Sequence, residues 1–167
     1  MLQTKRLTLS RLSYDDTDFI FELVNEPTFK RYIGDKGVRT LDDAREYLRD
    51  GPIGSYARHG FGLFLVRRTD NGESTGICGL VKRAEFDDPD LGFAFLERHW
   101  SNGFALESSL AVLDYGKETL GLQRVIAMAD QDNRSSLHLL DKLGFKYERM
   151  VGMAGDSEEV CQYAFEC

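Results

Sequence analysis

Long apolar runs are missing from this sequence. The longest clear one, Phe61 to Val66, falls far short of the roughly 20 residues that a membrane-spanning helix needs. The opening Met1-Leu2-Gln3-Thr4-Lys5-Arg6 leads into no apolar signal core, so no secretion signal is expected. Cysteine is scarce. Cys78, Cys161 and Cys167 make no metal-ligand spacing, and any disulfide scheme leaves one over, so reduced thiols in a cytoplasm are the simplest expectation. Asn133-Arg134-Ser135 matches a glycosylation sequon that would be idle there. His59, His99 and His138 lie far apart and share no ligand-like spacing, so no metal site is expected. Basic charge is also in deficit: 21 Lys and Arg face 28 Asp and Glu, a net charge of −7. That balance argues against a nucleic-acid partner, which needs a basic face to meet phosphates, and permits a cationic one. Three motifs are absent as well. There is no Gly-x-x-x-x-Gly-Lys-Ser/Thr phosphate loop, no Gly-x-Gly-x-x-Gly dinucleotide turn and no Gly-x-Ser-x-Gly nucleophile elbow.

What is present is an ordinary globular composition, 42% hydrophobic and 29% charged over 167 residues, which predicts one domain spanning 1–167 with a sizeable core. Arg6 to Leu9 alternates as a strand. Ser13 with Asp16 and Thr40 with Asp43 have capping-box spacing, ahead of helical faces Phe19-Ile20-Leu23 and Leu41-Ala44-Leu48. Pro27 breaks the first pattern or starts a short turn, and Gly51-Pro52 is expected to end the second helix. Gly54 to His59 reads as a further helical turn. Phe61 to Val66, a turn at Asp70-Asn71-Gly72, Gly76 to Lys82 and Asp90 to Leu96 predict a three-stranded meander, with an acidic loop at Glu85 to Pro89. A helix follows from about Phe104 to Thr119, where Leu106, Leu110 and Leu113 fall at helical spacing. Then come a strand at Arg124 to Ala129, a short helix with Leu139, Leu140 and Leu143 inward and Gly144 at its end, and two strands, 145–151 and 160–165. The fold class expected is therefore α/β: a mixed, twisted sheet of about six to seven strands with helices on both faces. Strands 90–96 and 124–129, joined through a helix, should be parallel neighbours.

Two polar corners follow strands of that βαβ unit, at the strand ends where ligands of open α/β sheets gather. The first is His99-Trp100-Ser101-Asn102-Gly103-Phe104-Ala105-Leu106-Glu107. A helix start offers free N–H groups and the positive end of a dipole, and Gly103 has no side chain to keep an anion away, so the corner suits a phosphate or pyrophosphate. A glycine kept only for packing is the plain alternative. The second corner is Asp130 to Ser136.

Together the corners resemble the GNAT acetyltransferases. Trp100 to Ala105 is similar to that family's pyrophosphate-binding loop, Gln/Arg-x-x-Gly-x-Gly/Ala, with the tryptophan often found first in the branch that acetylates ribosomal-protein N-termini. Asp132 to Phe145 resembles the branch's Asn-x-x-Ser motif with its leucine-rich helix and Gly-Phe. Asp90-Leu91-Gly92-Phe93 resembles its Glu-Ile/Leu-Gly-Tyr strand, and Thr4 to Leu9 its opening. The likeness covers nearly the whole chain.

The resemblance implies acetyl transfer from acetyl-CoA to a primary amine, either a protein N-terminus or a small molecule, by direct attack in a ternary complex. It implies that Trp100, Ser101, Asn102, Gly103, Phe104 and Ala105 hold the pyrophosphate. The strand edge near Phe95 would pair with the pantetheine arm, and Asn133 would fix that arm. A strand N–H would polarise the thioester carbonyl. Ser136 would protonate the leaving thiolate. Asp90 would take the amine's proton through a water, with Glu85 second in line. The alternatives are that Asp90 caps a strand or binds a substrate cation, that Asn133 is a helix cap, that Ser136 is a first-turn residue, and that Trp100 shapes the loop. The departures are Ser101, where a loop glycine is common, and Asp90, one methylene shorter than the usual glutamate. Helices within 15–59, the 85–89 loop and the last hairpin would set the acceptor, and Asp87, Asp88 and Glu158 suit a cationic amine. A homodimer would be common for this resemblance. An acyl-CoA-binding sensor or partner domain without turnover is the alternative function.

Overall fold

The computed structural model describes residues 1–167. Its centre is an eight-stranded sheet in the order β1-β2-β3-β4-β5-β6-β8-β7. The strands are β1 (Leu2–Gln3), β2 (Leu7–Arg11), β3 (Leu63–Arg68), β4 (Ser74–Val81), β5 (Asp90–Phe95), β6 (Arg124–Ala129), β7 (Lys146–Gly152) and β8 (Glu159–Glu166). One more strand is present than the sequence predicts, because β1 is two residues long and carries no alternation to read. All neighbours are antiparallel except β5 and β6, the expected parallel pair.

Helices cover both faces. α1 (Thr17–Val24), α2 (Pro27–Tyr32), α3 (Leu41–Leu48) and α4 (Gly54–His59) lie over one, where Ile20, Leu23, Val24, Ala44 and Leu48 pack on Leu65, Ile77 and Ala94. α5 (Phe104–Glu118) and α6 (Arg134–Leu143) lie over the other, where Phe104, Val112, Leu140 and Leu143 pack on Leu80, Leu91 and Val125. Both capping boxes form, Ser13–Asp16 ahead of a 3₁₀ turn leading into α1 and Thr40–Asp43 ahead of α3. Pro27 stands in the first turn of α2, where a missing N–H costs nothing.

Two local expectations are overturned. Gly51-Pro52 does not stop the helix: the chain widens into a π turn, Arg49–Ile53, and continues into α4. The wider i→i+5 spacing accommodates the proline, and the Arg58 guanidinium takes up the Asp50 carbonyl at 3.2 Å. Leu41 is exposed at the start of α3. On α5, Leu110 faces solvent while Ser108, Ser109 and Gly116 are buried. Small residues let that helix lie close on the sheet, with Ser109 Oγ 3.6 Å from Cys78 Sγ on β4.

Candidate functional site

The parallel pairing of β5 and β6 is a single rung, Asp90 opposite Ile126, with the Ile126 N–H donating to Pro89 O at 2.9 Å. Beyond it the two strands carry no ladder, so their C-terminal ends bound an open gap. Leu96 N–H donates to Thr75 O on β4. Alternation along a strand therefore turns the N–H groups of Phe95 and Phe93 the other way, toward that gap. Phe95 C=O already accepts the Trp100 indole N–H at 2.9 Å, so this tryptophan ties the strand end to the loop after it.

That loop fills the corner before α5. Glu97–His99 form one 3₁₀ turn, held from outside by a carboxylate: Glu97 N–H donates to Glu26 Oε2 at 2.9 Å, while His99 Nε2 lies 3.1 Å from Glu73 Oε1 without a hydrogen bond. Ser101 (φ 61°) and Gly103 (φ 77°) are both left-handed. Glycine adopts this conformation freely, and serine is strained in it. The Asn102 amide donates to His99 O and Trp100 O, both at 3.0 Å, so its side chain is spent on closing the loop. The result is a run of six backbone N–H groups, Ser101 through Leu106, with no acceptor in the protein. Such a run, at the N-terminus of a 15-residue helix, is what an anion needs.

The second corner opens α6. Asn133 is its N-cap: Oδ1 accepts the Ser136 N–H at 3.2 Å, leaving the Asn133 NH₂ without a protein acceptor. Ser136 is half-buried and its hydroxyl has no protein partner. These two residues stand beyond the C-terminal end of β6, across the gap from β5.

Asp90 lies on the α1–α4 face of β5, as Ala94 does, and is only 3% exposed. Arg83 donates to it from Nε at 2.6 Å. Burial pushes its carboxyl up to about 6, against the pull of the Arg83 charge and the Met128 N–H. Arg83 is absent from the sequence reading. The only signal for it is the pairing of Val81 with Asp90, which sets the chain just after β4 beside the carboxylate. Near it, Tyr47 and Lys36 are both desolvated, which raises the phenol's pKa and lowers the ammonium's. Glu85 stands exposed on the loop between β4 and β5, with no partner. Asp88 is taken by Arg124 Nε at 3.0 Å, and Asp87 and Glu158 are exposed. A cavity of about 280 Å³ beside α3 is lined by Lys36, Glu46 and Tyr47, and one of about 370 Å³ behind the loop by Lys5, Arg6 and Phe104. Both are separate from the β5–β6 gap.

Known proteins are similar to this chain in sequence or in fold. The uncharacterized N-acetyltransferase YoaA of Bacillus subtilis is 30% identical over 152 residues, 90% of this chain and 85% of that protein. A ribosomal L7/L12 alpha-N-protein acetyltransferase solved with coenzyme A superposes with a TM-score of 0.83 at 17% identity, over 98% of this chain and 95% of that one. The spermidine N-acetyltransferase of Vibrio cholerae, solved with CoA and spermine, gives 0.80 at 20%, over 98% and 96%. The two likenesses establish the fold and do not separate the ribosomal branch from the polyamine one. No helix is long and apolar enough to cross a membrane. A model of the acetyltransferase (GNAT) domain matches residues 6–146, and this chain belongs to the GNAT acetyltransferase family.

Proposed function

We propose that this chain moves an acetyl group from acetyl-CoA to a primary amine, on a protein N-terminus or a small molecule, within a ternary complex. The observation that carries the reading is the run of unpartnered N–H groups from Ser101 to Leu106 beside the open edge of β5. Those donors suit a pyrophosphate. The Phe93 and Phe95 N–H groups suit the amides and thioester carbonyl of an extended arm, and the Asn133 NH₂ suits the arm from the other side. Phe104, buried under the loop, and Ala105 serve through their backbone; Trp100 serves by clamping Phe95. When bound, acetyl-CoA supplies an activated acyl group and a thiolate leaving group.

The protein's own part is to move protons. A pKa of about 6 makes Asp90 a far better acceptor than an ordinary aspartate, and we assign it the amine's proton through a water on the α1–α4 face. Ser136 is the donor to the thiolate. Glu85, exposed and unpaired, is the reserve base. One observation favours the other reading, a domain that binds acyl-CoA without turnover: Asp90 is buried under Arg83.

Two measurements test this. Thermal unfolding with acetyl-CoA should raise the midpoint, and Gly103→Glu should erase the rise. Free-thiol release with a panel of amines should then show turnover. No rise in the unmutated protein at saturating cofactor sinks the assignment, and a rise without turnover on any amine leaves the binding domain.

A further inference from the structure

The opening segment Thr4-Lys5-Arg6 has no part in the chemistry assigned above, yet it converges on the corner. Thr4 Oγ1 donates to Glu107 Oε1 at 2.6 Å, and Arg6 N–H donates to the same oxygen at 2.8 Å. The Arg6 guanidinium donates through Nε to Glu107 Oε2 at 2.7 Å and through Nη1 to Asn102 O at 2.9 Å, and lies over the Phe104 ring, 5.0 Å from its centroid. Glu107 is in the first turn of α5, so Thr4 and Arg6 grip the helix start and the loop at once.

The direction of the last bond is what matters. In a trans peptide the C=O and the following N–H point opposite ways, and no peptide here is cis. Drawing Asn102 O back onto Arg6 therefore turns the Gly103 N–H outward. The Asn102 amide does the same to Trp100 O, which turns the Ser101 N–H outward. A Cβ on residue 103 would stand 3.3 Å from Arg6 Nη2, so glycine is wanted there for this approach as well as for its φ.

We infer that Arg6, anchored by Thr4 and Glu107, is a positioning residue for acyl-CoA: it aims the Asn102–Gly103 peptide at the pyrophosphate. The inference rests on the corner being the acyl-CoA site. As an exposed ion pair the Arg6–Glu107 contact would count for little, since the Arg6 side chain is 47% exposed. The planar fork is what reaches a carboxylate and a carbonyl together, and a lysine ammonium does not reproduce it.

The test is the dissociation constant of acetyl-CoA by calorimetry for the wild type, Arg6→Met and Arg6→Lys, with the Gly103 amide followed by NMR in the free proteins. Arg6→Met should weaken binding about tenfold or more, with Arg6→Lys between. The Gly103 amide should shift while those of Gly76 and Gly79 in β4 stay. Wild-type affinity in either variant overturns the inference. So does weakened affinity with an unmoved Gly103 amide, which would mean general loosening. If Arg6→Met does not fold, Arg6→Lys alone decides. A wild type that binds no acetyl-CoA is a different result, since it removes the site and not the latch.

Discussion

Replacing Asp90 with asparagine should change how stability depends on pH. The carboxyl is 3% exposed and its pKa stands at about 6 in the fold, against 3.8 for the free group. A raised acid favours the fold while it is protonated. Its contribution is full below 3.8, falls as pH climbs, and is lost above about 6. The difference corresponds to about 3 kcal/mol in all, of which about 1.4 kcal/mol falls between pH 5 and 7.5. Asparagine keeps the shape and carries no charge, so that slope vanishes. Urea unfolding of both proteins at a series of pH values reads it directly. The stability of Asp90→Asn relative to wild type should rise by about 1.4 kcal/mol from pH 5 to 7.5. Parallel curves would refute the argument, because they would mean that Arg83 holds the carboxyl at its ordinary value. The same substitution bears on chemistry. If Asp90 is the proton acceptor, the acidic limb of kcat/KM lies near the raised pKa and disappears in Asp90→Asn together with most of the rate.

Two further outcomes are expected. Ser136→Ala should lower kcat by about 100-fold while leaving the dissociation constant of acetyl-CoA unchanged; an unaltered kcat would reduce Ser136 to a first-turn residue of α6. Ser101→Gly should relieve the left-handed strain at φ 61°, worth roughly 1–2 kcal/mol, against roughly 0.5–1 kcal/mol of added chain entropy, so a modest rise in the urea midpoint is expected and a fall would show that the serine side chain has a bonding role.

The two corners were legible because local chemistry writes them. Gly103 and Gly144 take left-handed caps, Asn133 caps α6, and Ser13 and Thr40 find their boxed acids. Ser101 was legible as a cost, and it is the one non-glycine residue with positive φ. What was hidden is whatever depends on contact between distant segments. Leu110 repeats at helical spacing and still faces solvent, because Ser109 and Gly116 bring the opposite side of α5 against β4 and Leu122. Gly51-Pro52 looks like a stop because a π turn has no sequence signature. The Arg83–Asp90 pair needs the β4–β5 register, and the Arg6–Glu107 latch joins residues 101 apart. The opening Thr4 to Leu9 could be recognised as familiar without disclosing what it holds.

Asp90 also marks where the sheet opens. Ile126 N–H points at β5 and is bonded to Pro89 O, so Met128 N–H, two residues on, points the same way. A continued ladder would send it to a backbone carbonyl of β5. It is among the groups that stabilise the Asp90 charge. No rung follows Asp90–Ile126, so the edge of β5 beyond it keeps its N–H groups for a ligand. The cost is a buried charge at neutral pH, in the one region of the sheet with a single-rung pairing. Stability and an available strand edge are opposed at this point, and the residue type settles the balance: an apolar side chain would leave Arg83 without its partner, whereas a carboxylate accepts from its Nε at 2.6 Å.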